Sequence, residues 1–180
     1  MSYAFKGGQH AHHLASYKSN PGSAAAQVAL HYLGSLFLRD HLPCLRSAAG
    51  IGYGLSHLVM IPSTKGRPGP HPLDSMLGPI MNQFPRIQVG VNVPYSDREF
   101  HADWFVTESC QNADVLILDD TWTTGARIQS MSHALKSAGA RSVVAVVLGR
   151  HVDPGWAGSK PLVDWAKSSQ YDPTRCAVDG

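Results

Sequence analysis

The chain has 180 residues, of which 43% are hydrophobic and 16% charged, and its formal net charge at pH 7 is +2. This composition is typical of one globular domain with its own core and excludes a disordered chain. The small net charge gives no reason to expect nucleic-acid binding. Neither a signal-peptide pattern nor a membrane-length apolar run is visible, so we expect a cytoplasmic protein without a membrane partner.

The start of the chain is predicted to be a flexible tail over residues 1–15, because it is Gly-rich. This tail contains three histidines, His10, His12 and His13, for which a metal role is the less favoured of two open interpretations. Residues 16–180 are predicted to form a single domain. Asn20 and Pro21 suit a helix start, with a capping residue before Pro at the first helical position. Apolar residues follow at helical spacing, and Pro43 predicts the end of this helix.

Three strands are predicted in the middle of the chain. The apolar run from His57 to Ile61 is closed by Pro62 and predicts a buried strand. Alternating apolar and polar residues over 87–93 predict a strand with two unlike faces. Residues 95–107 are polar and aromatic and predict a loop or a flexible hairpin. Four apolar residues over 115–118 predict a further buried strand.

The last third of the chain predicts a strand–helix–strand unit. Apolar residues after Gly125 recur at helical spacing, and Gly139 is a fitting cap for the end of that helix. Residues 142–148 predict another buried strand, which implies parallel strands and a right-handed crossover. Residues 151–180 are predicted to be an irregular cap. The fold class is therefore α/β, with an open, mainly parallel twisted sheet flanked by helices and irregular capping segments at the termini.

The most informative stretch runs from Val115 to Arg127 and reads VLILDDTWTTGAR. Asp119 and Asp120 stand where the strand is predicted to end, and a Thr/Gly loop and a helix follow. Open α/β sheets bind ligands at the carboxyl ends of their strands. A helix N-terminus attracts anions, and adjacent carboxylates suit a vicinal diol. The stretch therefore predicts a sugar-phosphate site, and the alternative is an ordinary strand-to-helix turn with a capping Thr.

This stretch resembles the phosphoribosyl-pyrophosphate (PRPP) motif of type I phosphoribosyltransferases, in which two acids precede a short spacer and a Thr-Gly pair. The resemblance implies that Asp119 and Asp120 hold the ribose hydroxyls. It also implies that the 5-phosphate is wrapped by Thr121, Trp122, Thr123, Thr124, Gly125, Ala126 and Arg127. The family often has Thr at the position of Arg127, where a guanidinium offers a stronger contact. Two interpretations of Trp122 stay open: it packs under the loop or it faces the base.

A second loop follows the strand over 57–61. If that strand lies beside the strand over 115–118, both loops open on the same edge of the sheet. In the resembling family the earlier loop binds pyrophosphate, and the corresponding residues are Ser63, Thr64, Lys65, Gly66 and Arg67. Hydroxyls, positive charges and a glycine that permits close backbone approach fit this role. The alternative is a solvated basic turn. Residues 69–72 are predicted to form a stiff exposed turn. His71 in this turn is interpreted as a plain surface residue, and the alternative is that it approaches the pyrophosphate.

Residues 95–105 lie between these two loops in the chain. The family often carries a mobile, charged loop at this place, which closes over the substrate. Arg98 is the candidate there for a phosphate contact. Such a lid would exclude water, which matters because hydrolysis of PRPP competes with transfer.

Within the family, the nearest resemblance is to competence-protein-F-like (ComF-like) domains, over residues 16–150. The shared order is a Lys-containing helical start (here Tyr17-Lys18), a Pro-Ser/Thr loop, an Arg-containing lid and the signature Asp-Asp-x-x-Thr-Thr-Gly-Ala. Many of those proteins begin with a Cys-rich zinc module, and this chain has none. Its three cysteines, Cys44, Cys110 and Cys176, form no C-x-x-C pair and support neither a zinc ribbon nor a disulfide framework.

The resemblance implies a pentosyl-transferring glycosyltransferase of nucleotide metabolism, which moves phosphoribose from PRPP to a nitrogen acceptor and releases pyrophosphate. Its catalytic residues would be Asp119, Asp120, Lys65 and Arg98. Magnesium would be bound mainly through PRPP oxygens, without a metal site built by the protein. A homodimer is expected because the family usually pairs. The alternative is a non-catalytic PRPP or nucleotide sensor on the same fold, and the sequence does not identify the acceptor base.

Overall fold

The computed structural model describes residues 2–19, 22–63 and 71–168. Its centre is a four-stranded parallel sheet with helices on both faces, beside a two-stranded antiparallel hairpin. In chain order the elements are β1 (Ser2–Phe5), α1 (Gln9–Ser16), α2 (Ala24–Ala48), β2 (His57–Met60), α3 (Pro72–Met81), β3 (Val89–Val91), β4 (Phe105–Thr107), β5 (Asp114–Trp122), α4 (Ala126–Ser137), β6 (Ser142–Val152) and α5 (Lys160–Ser168). The predicted α/β class, with an open, mainly parallel sheet flanked by helices, is confirmed.

The strand order β1-β6-β5-β2 places β5 in the interior of the sheet. β2 pairs with β5 from His57↔Val115 onward, and β5 pairs with β6 from Asp114↔Ser142 onward, all in parallel. The predicted strand–helix–strand unit is thus β5-α4-β6. Because β2 and β5 are neighbours, the loops that follow them open on the same edge of the sheet, as the sequence suggested.

Side chains of β5 alternate between two separate cores. Leu116 and Leu118 pack with residues of α1, α2 and α3, whereas Val115 and Ile117 pack with residues of α4 and the β3-β4 hairpin. This alternation follows from the two-residue period of a strand. Both faces of β5 are buried, which explains its uninterrupted apolar run.

The predicted flexible tail over residues 1–15 is corrected by the structure. β1 pairs in parallel with the end of β6, from Ser2↔Gly149 to Phe5↔Val152, and α1 packs behind it. Ala4 is 1% exposed and Leu14 is 4% exposed. Gly149 leaves room for this packing, because a Cβ there would lie 2.5 Å from the Leu14 side chain. The strand was missed because its partner lies at the far end of the chain.

The predicted end of the second helix near Pro43 is also wrong. Asn20 and Pro21 lie outside the described residues, and α2 begins at Ala24, with the Ser23 hydroxyl accepting a hydrogen bond from the Ala26 N–H at 3.3 Å. The helix then continues through Pro43 to Ala48. Pro43 is exposed, whereas the neighbouring leucines pack on the core. Burial of that turn offsets the backbone hydrogen bond that proline cannot make.

The predicted stiff turn over residues 69–72 is replaced, in its described part, by the start of α3. Pro72 occupies the first turn, and His71 is the capping residue, its Nδ1 accepting from the Leu73 N–H at 3.2 Å. Leu73 and Leu77 are fully buried on the sheet. The helix was missed because Pro72, Gly78 and Pro79 are typical of turns.

Two other segments differ from the predicted boundaries. β3 is shorter than the alternating stretch and pairs antiparallel with β4, so residues 95–103 lie in the connection of a hairpin. The C-terminal segment is not wholly irregular, because β6 extends to Val152 and α5 forms a helix. Residues 169–180 lie outside the described part. Within that part, no helix is long and apolar enough to cross a membrane.

Candidate functional site

Asp119 and Asp120 are buried near the carboxyl end of β5, with 3% and 6% of their surfaces exposed. β5 extends to Trp122, so the acids lie within the strand and not after its end. Consecutive strand residues point to opposite faces, which places Asp119 on the α4 side and Asp120 on the α1 side. Asp119 Oδ1 accepts a hydrogen bond from the Asp120 N–H at 2.9 Å. Each carboxylate therefore has its own surroundings.

Asp120 is held by two residues that follow α1. The Tyr17 hydroxyl donates to Asp120 Oδ2 at 2.9 Å, and the Lys18 ammonium forms an ion pair with the same oxygen. Burial acts to raise the pKa of Asp120, but Lys18, the Tyr17 hydrogen bond and the Coulomb interaction with His71 together lower it below its usual value. The carboxylate is consequently ionised at neutral pH.

Tyr17 and Lys18 were not assigned to the site from the sequence. The sequence did draw attention to this pair, because ComF-like domains share a Lys-containing helical start. The resemblance, however, assigned no function to Tyr17 or Lys18. The contact joins residues about a hundred positions apart in the chain. Only the packing of α1 behind the sheet brings them to Asp120.

We expect Lys18→Met to lower the free energy of unfolding at pH 7 by about 1–2 kcal/mol. Breaking a fully buried ion pair typically costs about 3–5 kcal/mol, and the effect is smaller here because the Lys18 side chain is 38% exposed. The difference should shrink as the pH falls below about 4, because Asp120 then becomes neutral. Urea unfolding at several pH values measures it.

Lys6→Met is the matched control for this change. Lys6 pairs with Asp153 at 2.8 Å, with side chains 65% and 41% exposed. Its removal should leave the stability unchanged within error. Equal effects of Lys18→Met and Lys6→Met would contradict the stabilising role of the Lys18–Asp120 pair.

Asp119 has the opposite electrostatic character. Burial and the neighbouring charge of Asp120 raise its pKa to about 7, although Arg127, the Asp120 N–H and Lys18 act to lower it. Two adjacent buried carboxyl groups ionise together only at a large electrostatic cost. Lys18 favours the charged form of Asp120, so Asp119 is the member of the pair that retains its proton to higher pH.

We expect the free energy of unfolding to fall as the pH rises from about 4 to about 7 through the titration of Asp119. Its pKa is higher in the folded than in the unfolded state, so the folded state binds more protons in this window and loses stability as the proton leaves. Asp119→Asn should remove this slope. The control is Asp164→Asn, which changes an exposed carboxylate. Identical pH profiles for the wild type and Asp119→Asn would refute the assignment.

The loop after β5 is shaped by Gly125. This residue has φ +86° and directly precedes α4, and a Cβ on it would lie 2.3 Å from the Trp122 ring. Trp122 therefore packs against the loop, which agrees with the first of its two interpretations. The ring also borders a cavity of about 390 Å³ between α4 and the sheet. The contact with Trp122 fixes the backbone at Gly125, just before the first N–H groups of α4. These N–H groups are the donors that bind an anion at a helix N-terminus.

Arg127 connects this loop with the loop after β2. Its Nη2 donates to the Pro62 carbonyl at 2.6 Å. Its Nε is buried and has no hydrogen-bond acceptor among the described residues. Ser63 follows Pro62 and is exposed. The end of the predicted phosphate loop is therefore in direct contact with the start of the loop after β2.

The remaining residues of the predicted pyrophosphate loop, Thr64, Lys65, Gly66 and Arg67, lie outside the described residues. Their role stays a prediction. Arg98 approaches the other loop through its backbone, because its carbonyl accepts a hydrogen bond from the Thr124 hydroxyl at 2.9 Å. Its side chain is exposed. The fold thus gathers Asp119, Asp120, Thr124, Arg127 and the Arg98 backbone at one edge of the sheet.

Fold and site together define an α/β protein with two buried carboxylates and a glycine-shaped helix N-terminus at the carboxyl edge of a parallel sheet. No protein-family model matches the chain, and no curated protein matches it. It is similar to the crystal structure of a purine phosphoribosyltransferase from Pyrococcus horikoshii Ot3, with 17% identity and a TM-score of 0.38, over 72% of this chain and 89% of that chain.

Proposed function

We propose that this chain is a phosphoribosyltransferase, which binds PRPP and transfers phosphoribose to a nitrogen acceptor with release of pyrophosphate. The observation that carries the proposal is the order of functional groups along β5 and the loop that follows it. Two buried carboxylates precede a loop whose last residue, Gly125, has a left-handed backbone conformation and directly precedes α4. This arrangement offers acceptors for ribose hydroxyls and, within a few residues, N–H donors for a phosphate.

The proposed binding mode places three parts of PRPP on three parts of the site. Asp119 and Asp120 hold the ribose, and residues 121–127 hold the 5-phosphate. The pyrophosphate lies on the loop after β2, through Ser63, Thr64, Lys65, Gly66 and Arg67. The Arg127–Pro62 hydrogen bond supports this mode, because it joins the end of the phosphate loop to the start of the loop after β2.

The proposed reaction is a displacement at C1 of the ribose. The C1–O bond to pyrophosphate breaks with its electron pair on oxygen, and a nitrogen lone pair of the acceptor forms the new C1–N bond. Positive charge grows on the ribose in the transition state, and the carboxylate of Asp120 is suited to stabilise it. Lys65 and Arg98 are proposed to stabilise the negative charge of the departing pyrophosphate and of the bound phosphate.

Magnesium is proposed to arrive bound to PRPP. Among the described residues, no three His, Cys, Asp or Glu side chains form a group that could hold a metal ion. The nearby carboxylate oxygens are hard ligands that can accept hydrogen bonds from magnesium-bound waters. A homodimer is proposed as well. A ComF-like placement within the family is proposed from the order of motifs in the sequence, from Tyr17-Lys18 to the Asp-Asp-x-x-Thr-Thr-Gly-Ala signature.

Calorimetric titration with PRPP and magnesium, followed by a pyrophosphate-release assay over a panel of bases, tests the proposal. Binding with release for one base would establish the transferase and identify its acceptor. Binding without release for any base would favour the alternative, a PRPP or nucleotide sensor on the same fold. Absence of binding would indicate that the Asp119–Arg127 stretch is a structural turn and not a binding site.

A further inference from the structure

Residues 95–103, which connect the strands of the hairpin, are cross-linked among themselves. The Tyr95 hydroxyl donates to the Asp103 carboxylate at 2.8 Å, and the Tyr95 ring stacks on His101 with a centroid distance of 3.6 Å. His101 Nε2 in turn lies 2.8 Å from Asp97 Oδ1. We call these residues the 95–103 segment. Their mutual contacts make the segment a unit that shifts together and not a chain of independent residues.

Three contacts attach the 95–103 segment to α4 and the loop before it. The buried Ser130 hydroxyl accepts a hydrogen bond from the His101 N–H at 3.0 Å. The Phe100 ring meets the His133 ring edge-on at 5.7 Å. At the exposed end, the Thr124 hydroxyl donates to the Arg98 carbonyl at 2.9 Å. The first contact is an interior anchor, whereas the last is solvent-exposed and belongs to the proposed phosphate loop.

The Thr124 hydroxyl has one hydrogen to donate. That hydrogen is directed to the Arg98 carbonyl, while the oxygen faces the Ala126 N–H at 3.4 Å. A phosphate dianion is an acceptor without a hydrogen of its own. If it binds in the loop beside Thr124, it competes with the Arg98 carbonyl for this single hydrogen. The two bonds are therefore mutually exclusive.

We propose that Thr124 couples phosphate binding to the 95–103 segment, an inference that rests on the proposed phosphate site. In the ligand-free protein, the Thr124–Arg98 bond holds the segment against the loop. Bound phosphate takes the Thr124 hydrogen, because a charge-assisted hydrogen bond is stronger than a neutral one. The Arg98 carbonyl is then released, and the segment pivots on the Ser130–His101 anchor. By reciprocity, the Thr124–Arg98 bond weakens the binding of phosphate.

Hydrogen–deuterium exchange of the Glu99 backbone amide, which donates to the Asp97 carboxylate within the 95–103 segment, with and without inorganic phosphate, tests this coupling. In the wild type, phosphate should speed exchange roughly 2- to 12-fold, which is the equilibrium change expected for the loss of one neutral hydrogen bond. Thr124→Val keeps the side-chain shape but removes the hydroxyl, so its exchange should be fast without phosphate. Thr124→Ser restores the hydroxyl and should restore slow exchange.

Thr107→Val is the matched control, because it removes a hydroxyl outside the phosphate loop whose oxygen has no hydrogen-bond partner among the described residues. Without phosphate it should exchange like the wild type. Phosphate binding with unchanged or slower exchange in the wild type would overturn the coupling and leave the phosphate site standing. Wild-type exchange in ligand-free Thr124→Val would overturn it too. If calorimetry shows that phosphate does not bind the wild type, the proposed phosphate site itself fails.

Discussion

Changing both Asp119 and Asp120 to asparagine will lower the affinity for PRPP at least 100-fold while the fold is retained. A hydrogen bond to a charged group contributes about 1.5–3 kcal/mol, and the double change weakens such bonds on both sides of the proposed ribose site. The fold should survive, because a neutral amide in place of the Asp119 carboxyl avoids the cost of burying a charge, which raises the pKa of Asp119. Lys18 can turn toward solvent when Asp120 loses its charge. Calorimetric titration with PRPP and magnesium measures the loss.

Asp164→Asn serves as the control for the double variant, because it removes an exposed carboxylate on α5. It should bind PRPP as the wild type does. Circular dichroism and urea unfolding establish that the double variant is folded. Unchanged affinity in a folded double variant would contradict the assignment of the ribose site to these acids.

Gly125→Ala is expected to lower the free energy of unfolding by about 2–4 kcal/mol. The residue has φ +86°, a conformation that costs an L-amino acid about 1–2 kcal/mol. In addition, the new Cβ would lie 2.3 Å from the Trp122 ring, and such overpacking typically costs about 1–3 kcal/mol. Because the loop backbone must shift to relieve the clash, phosphate binding should be lost as well. Urea unfolding and phosphate titration measure the two effects.

Gly7→Ala distinguishes the cost of the left-handed backbone conformation from the cost of the clash with Trp122. Gly7 has nearly the same φ, +84°, but a Cβ there meets nothing within 4 Å. It should therefore show the backbone strain alone, and the excess loss in Gly125→Ala reports the contact with Trp122. Trp122→Ala should remove most of that excess when combined with Gly125→Ala. Equal losses at Gly7 and Gly125 would contradict the role of the Trp122 ring.

The parts of the fold that the sequence predicted are those with a strong local signal. The run over 115–118 is apolar because β5 is buried on both faces, and this is visible without the rest of the chain. The helix after Gly125 and the strand after Gly139 were likewise predicted from spacing and capping residues. The same signals placed Asp119 and Asp120 at the correct edge of the sheet.

The parts that were missed depend on contacts between distant residues or on proline in an unusual place. β1 is a strand because β6 provides its hydrogen-bond partners, and no local pattern in four residues could show this. α3 begins at Pro72 and contains Pro79, so its signals were those of a turn. The opposite orientations of Asp119 and Asp120 follow from the extension of β5 to Trp122, beyond the predicted strand end. Lys18 joins Asp120 only through the packing of α1.

The position of β1 in the sheet also determines when the candidate site is completed during protein synthesis. β1 leaves the ribosome before the other described strands, and its partners Gly149–Val152 belong to β6, the last of those strands in chain order. Non-local pairing of this kind is slow. Until β6 has formed, β1 has no strand to pair with, and α1, which follows β1, is not positioned against the sheet. Lys18 then has no fixed position beside Asp120. A nascent chain that ends before β6 therefore carries both acids and the glycine loop, but it does not yet hold Lys18 beside Asp120, the charge that the ribose is proposed to meet.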